Sequence, residues 1–254
     1  MQLTYLDSNT WLIDLAATRL LIDPWFVGPL VFGNLPWLFQ GQRRSPRPLP
    51  AGVGLILLSQ GLEDHTHPPT LRALDPTIPV VASPSAAQVA QGLGFQHVTA
   101  LAHGQEHYQG SLSIRAVPGA PLGPLTTENG YILREATSGL SLYYEPHGFP
   151  AAELQTAAPV TVAITPIVSL KLLLGVSIIN GRETAAQVAA WLRPQVLLPT
   201  AAGGEVEFRG LLTSLLQVEG SADELRRTLA ARHLTTQVVE PVPGEPLALS
   251  PLLA

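Results

Sequence analysis

Three short apolar runs constrain this chain most. Residues 53–58, 160–165 and 195–199 are each about one strand long and carry almost no polar alternation. A strand with this reading is buried on both faces, as in a sheet covered by helices. Helical segments follow such runs. Ser83 caps a predicted helix over 84–93, with Pro84 at its first position and Gly94 just past its end. Helices are also predicted over 68–75, 183–192 and 222–232. Ser221 caps the last of these, with Glu224 three residues on as a capping box requires.

The remaining segments read as strands. Residues 3–6, 10–15 and 19–23 form a predicted meander with Asp7-Ser8-Asn9 as a turn. Further strands are expected at 80–82, 97–101, 111–117, 130–135 and 139–144, with a hairpin turn over 136–139. The order is strands, strand–helix alternation, strands, strand–helix alternation. It predicts one α/β domain over 1–254, an αββα sandwich of two mixed sheets packed face to face with helices outside.

Composition narrows the function. Of 254 residues 46% are hydrophobic, ample for a core, and only 13% are charged, with a net charge of -5. No basic stripe suggests a nucleic-acid partner. Arg43, Arg44 and Arg47 form the one basic cluster, in a Pro-rich segment over 40–50 read as a loop. The absence of cysteine excludes disulfides, thiolate metal sites and a Cys nucleophile. The first ten residues show no secretory pattern, and no apolar run approaches the ~18–20 residues of a membrane span. A cytoplasmic protein without membrane contact is expected. No Gly-rich phosphate loop, Ser elbow or dinucleotide fingerprint is present.

The chemistry-bearing stretch is L-S-Q-G-L-E-D-H-T-H-P-P-T, residues 58–70. With L-L-I-D-P-W-F ending one early strand, A-V-P-G-A-P at 116–121, Y-Y-E-P-H-G at 143–148 and L-P-T-A at 198–201, the chain resembles the metallo-β-lactamase-fold superfamily. It is most similar to the branch that includes sugar-phosphate lactonases, and the likeness runs from Leu3 to about Gly204. The resemblance implies metal-dependent hydrolysis on an αββα fold. It places Gln60, Leu62, Asp64 and His65 in the slots of an H-x-H-x-D-H motif. Ala120 or Pro121 and Ala201 then stand where further histidines would be. None of the seven histidines lies between His107 and His147, and only His233 follows His147.

The resemblance therefore implies a depleted metal centre, and a dinuclear zinc site is not expected. Asp64, His65, Glu145 and His147 are the candidate catalytic residues and also the candidate ligands of one divalent ion, Zn, Mn or Fe. The competing reading is a metal-free polar cluster on a binding or scaffold protein of the same fold. Asp23 is either a carboxylate that steadies a ligand loop or a turn residue before Pro24. His67, ahead of Pro68-Pro69, reads as a helix-entry residue. The candidate substrate-binding residues are Gln60, Leu62, Trp25, Trp37 and Lys171.

Two apolar segments carry the last of these. Five of the fifteen aromatic residues fall between Trp25 and Phe39, broken by Gly and Pro, so a regular element is not predicted there. The segment either covers a ligand, packs on the core, or meets a membrane or a protein partner, including a second copy of the chain. Lys171, the only lysine, lies in the apolar run 165–180. It either snorkels to water or faces an anion or carbonyl. A pocket lined by Leu62, Ala120 and Ala201, beside the Ala-Ala-Gly-Gly run 201–204, would suit an apolar or aromatic small molecule better than a sugar phosphate.

Overall fold

The run at 53–58 becomes the strand Leu55–Leu58, with all four side chains buried. Leaving water is worth about 1.5–3 kcal/mol for each such side chain. The computed structural model describes residues 1–123, 126–172, 175, 177–201 and 203–249. They fall into two compact units. The first comprises Met1–Ala102, Gly203–Leu215 and Val242–Ala248; the second comprises His103–Ala202, Leu216–Pro241 and Leu249–Ala254.

The first unit is built on a seven-stranded mixed sheet. Its order is Pro246–Ala248, Gln2–Tyr5, Trp11–Leu15, Thr18–Ile22, Leu55–Leu58, Val80–Ala82 and Val98–Ala100. The meander pairs antiparallel, and the strands from Thr18–Ile22 onward pair parallel. Helices α1 (Pro68–Ala73) and α2 (Pro84–Gly92) supply the crossovers. Leu71 of α1 and Ala86, Ala87 and Ala90 of α2 pack with Ile56, Leu58, Val80 and Ala82. Ser83 caps α2, its hydroxyl accepting from the Ala86 N–H.

The second unit repeats the plan. Its sheet runs Gln237–Val238, Val196–Pro199, Val162–Thr165, Ser141–Tyr144, Thr126–Glu135, Leu112–Leu122 and Glu106–Gln109. The first four pair parallel and the rest antiparallel. Helices α3 (Gly181–Leu192) and α4 (Ala222–Ala231) pack their apolar stripes, including Ala185, Val188, Ala189, Leu225 and Leu229, on Tyr143, Ala163 and Leu197. Ser221 caps α4 through the Glu224 N–H, as expected. The α/β class with two mixed sheets and helices is thus the one the sequence predicts.

Two smaller sheets were not legible in the sequence. Gln40–Arg43 is a strand and not part of a loop; it pairs with Val206–Arg209 and with Leu30–Val31. Its residues are polar and Gly-containing, so periodicity gave no sign, and its main partner comes from far along the chain. In the second unit Ser169–Leu172 pairs with Ser177–Asn180 and Leu216–Glu219. Leu173, Leu174 and Val176 of the apolar run, and Ala202 of the small-residue run, lie outside the described residues. Between Trp25 and Phe39 only Leu30–Val31 and a short 3-10 turn, Phe32–Asn34, are regular. No helix among the described residues is long and apolar enough to cross a membrane.

Candidate functional site

In the first unit the site grows from two neighbouring parallel strands. Ile22 pairs with Leu57, so the strands Thr18–Ile22 and Leu55–Leu58 end side by side. Asp23 follows in the left-handed region (φ 42°), its N–H bonded to the Leu57 carbonyl at 3.0 Å. Thr10 fixes this turn by donating to the Asp23 carbonyl (2.9 Å) and accepting from the Trp25 N–H (3.0 Å). A non-glycine residue in this conformation marks a position held by its surroundings. The result is a fully buried carboxylate aimed across the strand ends.

Asp23 gathers three donors. Its Oδ1 accepts from the Ser59 N–H (2.8 Å), and its Oδ2 accepts from the Ser59 hydroxyl (2.5 Å) and faces His65 Nδ1 at 2.6 Å. A tight turn supplies His65, since the Leu62 carbonyl accepts from the His65 and Thr66 N–H groups. The other ring nitrogen, Nε2, stands 3.0 Å from Asp64 Oδ2 and 3.2 Å from Asn9 Nδ2. Burial pulls the His65 pKa down, but the Asp64 and Asp23 carboxylates outweigh it and push it up to about 10. His65 is wholly buried, whereas the Asp64 side chain is 20% exposed.

Both meanings of Asp23 hold together: it is a turn residue and it steadies the histidine loop. Ser59 and Asn9 are members that sequence reasoning missed. Ser59 adjoins Gln60 in the quoted motif, and Asn9 reads in the sequence only as part of a turn.

His67 is the residue before α1, as expected of a helix entry. The Thr70 hydroxyl accepts from the Phe26 and Val27 N–H groups, so its own proton goes to His67 Nδ1 at 2.9 Å. His67 Nε2–H is then the donor to the Pro29 carbonyl (3.3 Å). Burial holds this imidazole below its ordinary pKa. The ring ties α1 to the aromatic segment.

Within that segment Trp25 is buried, donates to the Gly28 carbonyl and lies 4.8 Å from the Arg43 guanidinium. Arg43 pairs with buried Asp7 and also donates to the Leu6 and Trp25 carbonyls. Arg47 adds a second bond to Asp7 at 2.6 Å. The basic cluster is thereby committed largely to one carboxylate. Trp37, by contrast, is 62% exposed. Gln60 is buried, its carbonyl taken by the Thr66 hydroxyl (2.6 Å), and Leu62 is half-buried.

In the second unit Glu145 follows the strand Ser141–Tyr144, its N–H bonded to the Ile164 carbonyl. Its Oε1 accepts from the His147 N–H (3.0 Å), and its Oε2 accepts from the N–H groups of Gly148 (2.6 Å) and Phe149 (2.9 Å). Gly148 has φ 78°, and a Cβ there would come 2.7 Å from the Gly181 nitrogen. The Asn180 N–H closes on the His147 carbonyl at 2.7 Å. Backbone contacts on every side therefore set the His147 position. Burial, and then the Glu145 charge, push the Tyr143 hydroxyl pKa well up.

The remaining residues singled out in the sequence lie in the second unit. Ala120 is buried next to a bulge between Pro118 and Pro121, and Ala201 is left-handed (φ 61°) after buried Thr200. Lys171 is half-buried, with its ammonium between Glu183 (2.9 Å) and Glu219 (3.0 Å).

Comparison with known proteins follows the same lines. No curated protein sequence matches the chain. Among solved structures it is similar to Igni18, a metallo hydrolase of Ignicoccus hospitalis, with TM-score 0.68 and 18% identity over 97% of each chain. An isothiocyanate hydrolase from Delia radicum gut bacteria gives TM-score 0.67 and 16% identity over 98% of each chain. The metallo-β-lactamase fold protein YhfI of Bacillus subtilis gives 0.62 and 13%, over 97% of this chain and 99% of that one. At such identities these likenesses speak for the fold. The model of one family, the beta-lactamase superfamily domain, matches residues 2–201, and two large mixed sheets with helices are the build of its αββα fold; the chain belongs to that family.

Proposed function

We propose that this protein is a hydrolase of the metallo-β-lactamase fold acting on a small molecule, with at most one divalent metal. The carrying observation is the His65 ring, held at Nδ1 by Asp23 at 2.6 Å with Nε2 turned toward Asp64. Metal-binding histidines are commonly oriented in this way by a carboxylate on the other nitrogen. Asp64, His65 and His147 are the proposed ligands. Glu145 holds the His147 loop through three backbone N–H groups and is the further candidate. This donor set of oxygens and imidazoles suits Zn, Mn or Fe.

A bound ion of this kind would lower the pKa of a water toward neutrality and polarise a carbonyl. The chain's own part is to fix the imidazole through Asp23 and Ser59 and to present the Asp64 carboxylate as a proton acceptor. Gln60, Leu62, Ala120 and Ala201 argue against a second ion, since they remove the nitrogen donors that a dinuclear site needs. The narrower kinship with sugar-phosphate lactonases rests on the sequence resemblance. The apolar character of Leu62, Ala120 and Ala201 favours an apolar or aromatic substrate, with exposed Trp37 as a candidate contact.

One observation favours a metal-free binding protein instead: Asp64 already satisfies His65 Nε2 at 3.0 Å. Elemental analysis of the purified chain separates the two readings. One metal per chain, lost in both the His65→Ala and the His147→Ala variants, is the expected result. Metal-free wild-type protein that still binds or turns over a small ester or lactone would sink the metal-dependent reading. Two tightly held metals would overturn the single-ion count.

A further inference from the structure

Helices α2 and α4 end in the same hydrogen-bonded motif with different residues at its tightest point. At the end of α2 the Gly94 N–H donates to the Gln91 carbonyl (3.0 Å) and the Phe95 N–H to the Ala90 carbonyl (3.2 Å). At the end of α4 the His233 N–H donates to Ala230 (3.0 Å) and the Leu234 N–H to Leu229 (3.0 Å). The turning residue must be left-handed, which glycine adopts freely and a residue with a Cβ does not. Gly94 meets this demand at φ 93°, while His233 is forced to φ 54°. Helix α3 ends in the related single-bond form, Arg193 N–H to the Ala189 carbonyl (3.0 Å), with Arg193 at φ 44°.

Both strained basic residues line one cleft. It has a volume of about 200 Å³ and is walled by Ala189, Arg193, His233, Leu234, Thr235 and Thr236. No acidic residue is among them. The side chains of Arg193 and His233 make no hydrogen bond or ion pair among the described residues. In the same unit the exposed Arg182 and Arg226 are each paired with carboxylates.

Basic residues do suit helix C-termini, where the dipole is negative. Here that need is largely met already. The carbonyls of Ala189, Leu192, Thr228, Leu229 and Ala230 all accept backbone N–H groups. The dipole thus leaves unexplained why an arginine and a histidine occupy glycine positions around a shared cleft.

We propose that this cleft binds a phosphate group, free or carried on a small molecule. The forked Arg193 guanidinium takes two oxygens. The His233 ring N–H and the Thr235 hydroxyl take others. Donors from two helix ends and the loop that follows α4 match a tetrahedral acceptor better than a planar carboxylate. The volume lies below the ~300–1,000 Å³ of pockets that bury drug-sized ligands, so the ligand is small.

Calorimetric titration of the full chain with inorganic phosphate, at ionic strength balanced with chloride, tests this. The expected result is saturable binding, weakened about tenfold or more in Arg193→Gly, as for loss of a charge-assisted hydrogen bond. A smaller loss is expected in His233→Gly. Both variants relieve the left-handed strain, so their thermal midpoints should equal or exceed that of the wild type. Glycerol phosphate serves as the second ligand: tighter binding than phosphate points to a carried phosphate, equal binding to the free ion. Absence of saturable binding, or affinity unchanged in the double glycine variant, would overturn the proposal.

Discussion

Asp23 and Glu145 stand at comparable places, each just past the end of a buried strand, and each carries a fully buried carboxylate. They use it differently. Asp23 takes one backbone N–H and two side-chain groups, Ser59 and His65. Glu145 takes three backbone N–H groups of its own loop. The first carboxylate orients a side chain; the second shapes a loop. A buried acid at the end of a strand is thus no guide in the sequence to which of the two tasks it performs.

Removing His65 should have the largest effect. His65→Ala leaves the Asp23 and Asp64 carboxylates facing each other without the cation between them. The expected cost is about 3–5 kcal/mol, as for breaking one side of a buried ion pair. Urea unfolding measures it, and a loss well under 1 kcal/mol would mean that the cluster holds no such charge balance. Glu145→Ala comes next. It strands backbone donors, for an expected cost of about 1–3 kcal/mol. Its distinguishing mark is that amide exchange should quicken at His147, Gly148 and Phe149 while Ser59 and His65 stay protected. Equal disturbance at both turns would erase the contrast.

A smaller effect tests whether loop-shaping carboxylates behave alike. Glu135 holds the hairpin turn at 136–139 by accepting from the Ser138 and Thr137 N–H groups. Bonds from Ser138, then Thr137 and Ser111, hold its carboxyl well below the ordinary range. A depressed folded-state pKa gives stability that is present above the unfolded carboxylate value, near ~4.3, and is lost as pH falls below it. Glu135→Gln should therefore lower stability at neutral and basic pH and converge with the wild type in acid, which flattens the acid limb of the profile. An unchanged acid limb would show that these bonds do not favour the charged form. The smallest effect is expected at Lys171→Met. Its two partly exposed ion pairs should shift the thermal midpoint little or not at all. A larger loss would mark Lys171 as more than a surface tie.

Much of this is legible in the sequence itself. Runs such as 53–58, capped helices such as those after Ser83 and Ser221, and the motif at 58–70 are local patterns with local causes. Steric preference, capping and burial act within a few residues, so sequence alone determined the two-sheet α/β class and most of the helices and central strands. The tertiary structure decided what depends on distant partners. Gln40–Arg43 is a strand because Val206–Arg209 pairs with it. Arg43 and Arg47 are drawn in by Asp7 and do not form a surface patch. Ser59 and Asn9 join the His65 cluster because parallel strand ends and a separate turn bring them there. Such roles are set by geometry across long stretches of chain, and no residue's identity encodes which neighbour will face it.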